Sequence, residues 1–488
     1  MEYASIKPFL HEKVEKIINN TEKLFDLSGL HNGPIHVLVP EIMNDNIKAF
    51  NKVFDDLEMN GIIKYAHKTN KSKALLFQAY KNNLGVDVAS EEELKNVLSV
   101  GFTGDKISCT GPKSKSFLFL ALSHKCLISI DNLDEIKKII ELSEKFNFKK
   151  VNILIRFHDL SGNDRKLVKK NTKFGISKNN LLEVLDIIKD FKFIDIKGVH
   201  FHYDEHQHEI KSGSINDALS VIKKLYENNY SPTIIDIGGG FRGRELDSKL
   251  EWSNYIDFLS DKRRKKFDTH TWGNGGYGIK VNERGGIDGR EFVEKRYREV
   301  DNYDFLSKIL KKDFKNGYTL YEEINDSMLN LMIEPGYSLS SNTGFSIFRV
   351  DGYKTVSSGD EAIIINGNIL NLSSKMWEYF ADPIHLIKDK KIENNKNNLE
   401  KNINPEEFYG YILGNLCRDD DILIKRKIYF KQKPEEGDLI IFPNTSSYVS
   451  DFEDGSPIMQ NKGKKFVATV KEGNVKFYED NLYNLINL

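Results

Sequence analysis

The chain has 488 residues, 39% hydrophobic and 29% charged. That balance suits a globular protein with a large core, and the length asks for two domains rather than one. The formal net charge of −1, with lysines interleaved among acids, sets up no field for nucleic acid or an anionic membrane surface, so neither is expected as a partner.

Three cysteines, Cys109, Cys126 and Cys417, cannot all pair and form neither a Cys-x-x-Cys nor a zinc pattern. They fit a reducing compartment. Residues 1–20 are charged and lack the apolar core of a signal peptide. No apolar run approaches the roughly 18 residues of a membrane span. A cytoplasmic location is expected.

Residues 1–45 read as an N-terminal segment that lends part of itself to a β-domain. From residue 62, short β-type runs alternate with longer segments of helical spacing, the rhythm of a parallel α/β fold. The runs are Ile62–His67, Val86–Ala89, Lys106–Thr110, Cys126–Ile130, Val151–Phe157, Ile196–Tyr203, Thr233–Ile237 and Leu329–Ile333. Eight runs predict a closed (β/α)8 TIM barrel over residues 46–334; a doubly wound open sheet has the same periodicity. The connection over about 241–328 is far too long for a simple loop. It holds the basic run Lys262–Lys266 and the glycine-rich Gly273–Gly278, and reads as a helical insertion after the seventh strand. Such an insertion serves a substrate pocket, a surface excursion or a dimer contact. Beyond Glu334 the pattern changes. Phe345–Val350, Glu361–Ile365 and Asp438–Phe442 lack regular helices between them, so residues 335–488 are predicted to be mainly β. Within them, residues 388–407 form an exposed polar loop.

In a barrel, chemistry sits at the C-terminal strand ends. Lys68 follows the first run, Asp87 lies in the second and Arg156 ends the fifth. His200 and His202 lie in the sixth, Gly238-Gly239-Gly240 follows the seventh and Glu334 follows the eighth. A lysine partly desolvated at a strand end is a candidate nucleophile. A glycine run there lets backbone amides approach a phosphate.

The ordered set resembles a known family. Tyr65-Ala66-His67-Lys68-Thr69-Asn70, Gly85-Val86-Asp87-Val88-Ala89-Ser90 with Glu93-Leu94, and Thr110-Gly111-Pro112-Lys113 are similar to signatures of the fold-type III pyridoxal-5'-phosphate (PLP) decarboxylases. So are Gly198-Val199-His200-Phe201-His202, Asp236–Phe241, Glu334-Pro335-Gly336 and Gly414-x-x-Cys417. That family includes diaminopimelate, ornithine and arginine decarboxylases and shares its barrel with alanine racemase. The resemblance covers roughly residues 33–450. It implies PLP as cofactor, with Lys68 as Schiff-base lysine and Glu334 on the pyridine nitrogen. His202 would stack on the ring. Gly238, Gly239, Gly240, Gly336 and Tyr448 would lie near the phosphate. Arg156 and Asp87 would support the ring oxygen and the Schiff-base region, or else serve as structural ion partners. His200 has a packing role or a functional one. Cys417 would reach the site from a second subunit and protonate the product, which implies a homodimer with shared sites.

Four departures stand out. Asp204-Glu205 replaces a small pair after His202, and Tyr337 replaces an arginine. Arg418 replaces an acid that holds a basic substrate's distal amine, and Asn366-Gly367 lacks the usual acid. Arg418, with Asp421 nearby, points to an amino acid whose distal group is anionic or neutral; the alternative is that Arg418 faces solvent or pairs with Asp419 or Asp420. The implied function is decarboxylation of an amino acid. Racemisation, elimination and a catalytically silent PLP-binding homologue remain as alternatives.

Overall fold

The structure is a computed structural model. It describes residues 5–160, 172–203, 208–260, 271–276, 279–281, 287–288, 301–314, 317–372, 379, 381–388, 407–453 and 457–484. Asp204-Glu205, Lys262–Lys266 and nearly all of the 388–407 loop lie outside these residues. The chain divides into two compact units. One comprises Met1–Ile42, Arg244–Glu299 and Ser341–Tyr483; the other comprises Met43–Gly243, Val300–Ser340 and Asn484–Leu488.

The first strand, β1 (Ile35–Leu38), belongs to the former unit. The second unit is built on β2 (Gly61–Ala66), β3 (Gly85–Val88), β4 (Ile107–Cys109), β5 (Leu127–Ile130), β6 (Val151–Arg156), β7 (Ile194–His200), β8 (Ile234–Asp236) and β12 (Asn330–Ile333). These strands close in the order β12-β2-β3-β4-β5-β6-β7-β8. Each of the eight expected runs supplies one of them. Parallel pairing of β12 with both β8 and β2 closes the ring and rules out the open sheet. Strands β3 and β5 are buried along their whole length, as parallel strands covered on both faces must be.

Polar caps mark where each early strand hands over to its helix. Ser72, Ser90, Ser114 and Asn132 each accept from a backbone amide in the first turn of the helix that follows. Such a cap satisfies a donor the helix leaves unpaired. The strand ends are thereby fixed, and with them the side chains that project there.

The sixth run ends earlier than the sequence suggested. His200 is the last residue of β7, and His202 lies in the loop beyond it. Phe201 still donates its amide to Asp236, so the ladder fades rather than breaks. The post-β8 insertion is not simply helical either. Its described part has a helix (Lys249–Ser260), the strands β9 (Gly275–Gly276), β10 (Ile279–Val281) and β11 (Ile287–Asp288), and helices Asn302–Leu310 and Leu320–Asp326. Strands of two or three residues, two of them glycines, carry no periodic signal.

In the first unit, a nine-stranded sheet runs β17-β16-β14-β13-β1-β19-β20, with β18 between β13 and β15. Here β13 is Gly344–Thr355, β14 Glu361–Ile365, β15 Ile384–Leu386 and β16 Phe408–Leu413. The remaining strands are β17 Ile422–Phe430, β18 Leu439–Pro443, β19 Lys464–Lys471 and β20 Asn474–Glu479. The twelve residues of β13 serve two cores. Phe345 and Ile347 pack with β1, while Phe348 and Val350 pack with β14 and β16. Alternation along one strand sends neighbours to opposite faces.

Candidate active site

A cavity of about 380 Å³ opens at the strand ends of the barrel unit. Lys68, Thr110, Arg156, His200, His202 and Glu334 are among the residues that line it. Five of the residues expected from sequence therefore converge on one space. The size suits a small organic ligand.

Lys68 stands in a 3-10 turn, His67–Thr69, directly after β2. The turn is held from inside by Thr69 Oγ1, which donates to Ala66 O at 2.8 Å. Gly336 packs onto this turn. A Cβ there would stand 2.1 Å from Thr69 Oγ1, so Gly336 serves the closure of the barrel beside Lys68.

Glu334 follows β12 and is only 5% exposed. Its Oε1 makes no hydrogen bond among the described residues, and neither does His200 Nε2. Burial pushes the Glu334 carboxyl well above the usual range, and the charges of Asp236 and Asp87 push the same way. His200 Nδ1 lies 2.6 Å from Ser129 Oγ. Burial, aided by the cations Arg156, Lys113 and Lys68, holds His200 well below its ordinary pKa. Beneath these groups Lys64 is buried. Desolvation lowers its pKa against the pull of Asp236, Asp87 and Glu334. Opposite Lys64 stands Gly85, where a Cβ would lie 3.0 Å from the lysine's Cγ.

Asp87 accepts from Thr110 Oγ1 at 2.8 Å. It is buried behind the cavity wall, and burial raises its carboxyl. Arg156 packs its guanidinium 4.5 Å from the Phe174 ring centroid and lies 3.4 Å from Asp131 Oδ1. The structural ion pair is thus present, though long. Asp131 Oδ1 also accepts from the Gly175 amide at 2.8 Å.

The glycine loop adjoins the cavity through His202. Gly239 donates its amide to His202 Nδ1 at 2.9 Å. That nitrogen is an acceptor, so the neutral imidazole carries its proton on Nε2. Burial, with Lys68 next, holds His202 well below its usual pKa. Gly238 and Gly240 have φ of +64° and +82°, where a side chain is strained. The amide of Gly238 is taken by Asp236 Oδ1 at 2.9 Å.

Four expected residues belong to the other unit. Cys417 is exposed. Arg418 is exposed and pairs with Asp420 at 2.5 Å, one of the alternatives the sequence allowed. Asp421 accepts from the amides of Ile369 and Leu416 at 2.8 and 2.7 Å, which fastens its own loop. Tyr448 has φ +62° and meets Phe452 ring to ring at 5.3 Å. Asn366 bridges the Arg349 amide and the Gly33 carbonyl.

The sequence profile "Pyridoxal-dependent decarboxylase, pyridoxal binding domain" matches residues 41–274. The chain is 27% identical over 267 residues to diaminopimelate decarboxylase of Bacillus methanolicus, covering 50% of this chain and 60% of that protein. The solved structure of diaminopimelate decarboxylase from Helicobacter pylori complexed with L-lysine superposes with a TM-score of 0.65 at 17% identity. That match covers 94% of this chain and 95% of the other. The chain is similar to the PLP-dependent decarboxylases over a stretch just short of half its length. The matched profile describes a pyridoxal-binding domain, and its span includes Lys68, Asp87, Arg156, His202 and Gly238–Gly240. The chain is also 23% identical over 433 residues to an uncharacterised protein, y4yA, of Sinorhizobium fredii, covering 88% of this chain and 86% of that one.

The residues present fit the cofactor. A buried carboxylate oxygen with no hydrogen bond among the described residues meets the need of a ring N–H, and a lysine lines the same cavity. Sequence reasoning missed Ser129, Asp131, Lys64 and Lys211. Lys64 alone left a signal, as a lone charge two and four residues before Ala66 and Lys68 in an apolar strand.

Proposed function

We propose that this chain decarboxylates an amino acid with PLP bound covalently to Lys68. The observation that carries this reading is the shared cavity of Lys68 and Glu334, in which Glu334 Oε1 is buried without a hydrogen bond among the described residues. When bound, the cofactor supplies an electron sink for the pair left behind as the carboxylate departs as carbon dioxide. Glu334 holds the ring nitrogen protonated. His202, oriented by the Gly239 amide, covers one face of the ring. Arg156 would meet the ring oxygen, and Asp87 would support the Schiff-base region from behind the cavity wall. Gly238–Gly240 and Gly336 would hold the phosphate, and Tyr448 is proposed as a further contact to it. Cys417 from a second copy of the chain delivers a proton to the substrate's Cα, so the working unit is a homodimer. Arg418 and Asp421 face the substrate's distal group, and the cation at Arg418 disfavours a simple basic amino acid.

Reduction with borohydride in the presence of PLP, followed by peptide mass mapping, tests the lysine. A pyridoxyl adduct on Lys68, lost in Lys68→Ala, is expected; an adduct elsewhere ends the reading. Screening amino acids for carbon dioxide release tests the reaction. An inverted amino acid without carbon dioxide would replace decarboxylation by racemisation. Mixing Lys68→Ala chains with Cys417→Ala chains tests the shared site. Activity should reappear in the mixture, and a mixture as inactive as its parents removes Cys417 from the site. Unchanged preference among substrates in Arg418→Glu removes Arg418.

A further inference from the structure

Lys211 lies in the first turn of the helix His208–Glu227 and is fully buried. Its ammonium donates to Gly239 O at 2.6 Å and lies 3.3 Å from Ile237 O. It also sits 5.2 Å from the centroid of the Phe241 ring. Burying a lysine costs several kcal/mol unless its donors are well used. A hydrophobic residue would fill this helix position more cheaply, so the charge itself has a task.

The backbone geometry shows that task. A trans peptide sets its N–H opposite its C=O, and the described chain has no cis bonds. With the 239–240 carbonyl turned to Lys211, the Gly240 amide is turned the other way. The 238–239 peptide runs in the opposite sense, since Gly238 O accepts from the Glu334 amide at 2.9 Å and the Gly239 amide goes to His202. The loop is therefore clamped at its carbonyls, on one side by the Glu334 amide and on the other by a buried cation. Positive φ at Gly238 and Gly240 allows that path. A Cβ on Gly239 would stand 2.8 Å from Glu334 O.

We infer that Lys211 is the positioning residue of the cofactor's phosphate site: it orients the 239–240 peptide from behind and adds a fixed positive charge to a loop that receives a phosphate monoester. The inference rests on the proposed placement of PLP. It differs from a packing role in that its effect depends on the ligand's phosphate. The field of Lys211 already reaches the site, where it helps to keep both His200 and His202 neutral.

Equilibrium binding of PLP and of unphosphorylated pyridoxal to the cofactor-free full chain tests this, read by visible absorbance. Circular dichroism serves as the check on folding. The parent should prefer PLP strongly. Lys211→Met should weaken PLP by about tenfold or more, the scale of one charge-assisted hydrogen bond, and leave pyridoxal nearly unchanged. Lys211→Gln keeps a donor for the carbonyls but not the charge, and should fall between. Lys211→Arg should recover part of the preference. Equal weakening of both ligands, or none of either, overturns the inference. If Lys211→Met does not fold, the same PLP-to-pyridoxal ratio in Lys211→Gln decides. A parent that takes up neither ligand would instead bring down the placement of the cofactor itself.

Discussion

His200 Nε2 lies 3.8 Å from Glu334 Oε2, both side chains buried in the barrel. The gap is too long for a hydrogen bond, and Ser129 already engages the other histidine nitrogen. The carboxylate is thus held near an uncharged ring rather than consumed by it. Besides its contact with Asp236, its Oε1 has no hydrogen bond among the described residues and can meet a third group such as a pyridine N–H. Glu334→Gln keeps the shape and removes the charge. It should retain bound cofactor and lower carbon dioxide release by about a hundredfold or more, as for removal of one preorganised charge at a reacting centre. Steady-state rates with a substrate found by screening check this. Parent-like turnover in the variant would deny Glu334 its role.

A backbone contact makes a sharper steric forecast. Gly239→Ala places its Cβ 2.8 Å from the Glu334 carbonyl oxygen and 3.2 Å from His202 Cε1. The first of these is main chain and cannot swing aside. Overpacking of that kind costs about 1–3 kcal/mol. It should also displace His202 and weaken retention of the cofactor. Gly29 gives the internal control. It ends the helix Thr21–Gly29, and a Cβ there meets nothing within 4 Å. Gly29→Ala should be neutral or stabilising by up to about 1 kcal/mol. Urea midpoints of the two variants, read against the parent, should move in different directions or at least by clearly different amounts.

The two forecasts rest on features that sequence revealed unequally. The barrel was legible because each strand is a short apolar run, the first four handing over to a capped helix, and that period survives divergence. Lys68, Arg156, His200, His202 and Glu334 were legible because they fall at the ends of those runs. Lys211 was not. It sits among Ile210, Ser214 and Ile215 on the buried face of a helix, and nothing local distinguishes it from a lysine that reaches solvent. Asp131 was hidden for a similar reason: its partners Arg156 and Gly175 are 25 and 44 residues away in sequence. The short strands of the insertion escaped because two glycines and a tripeptide have no period. The end of β7 was misjudged because Phe201 and Tyr203 continue the alternation after the ladder has stopped.

The acid cluster predicts a pH dependence of the cofactor-free protein. Burial lifts the Asp236 carboxyl from 3.8 to about 7, against the downward pull of the Gly238 amide and of its Glu334 contact. Glu334 is displaced in the same direction. A raised acid binds its proton more tightly when folded than when unfolded. Its contribution is therefore fully present below about pH 4 and is lost as pH rises towards 7. Asp236→Asn keeps an acceptor for the Gly238 amide and removes this slope. The difference in urea stability between variant and parent should grow in the variant's favour from about pH 4 to pH 7 and then level off. A difference that stays constant across that range would show that Asp236 does not titrate there.

His36 predicts the opposite slope in the β unit. It is buried on β1, with Nδ1 2.7 Å from Ser346 Oγ, and Ser346 in turn meets Thr445 Oγ1 at 2.7 Å. The Gly463 backbone closes over the ring, leaving no room for a Cβ there. The charges nearest it are Lys465 and Asp451, themselves paired at 2.5 Å. Burial lowers its pKa from 6.5 to about 3; Lys465 adds to this and Asp451 opposes it. A depressed base holds its proton less well when folded. The stability it contributes is present above about pH 6.5 and is lost as pH falls towards 3. His36→Gln keeps a hydrogen-bonding group of similar reach beside Ser346 and has no proton to gain. The parent should lose stability on acidification through this window by more than the variant does, as read by tryptophan fluorescence during urea unfolding. Because His36 and Asp236 pull in opposite directions, the two variants together should separate acid-sensitive from base-sensitive unfolding. Parallel curves for parent and His36→Gln would mean that the ring is protonated, or reached by water, in the folded protein.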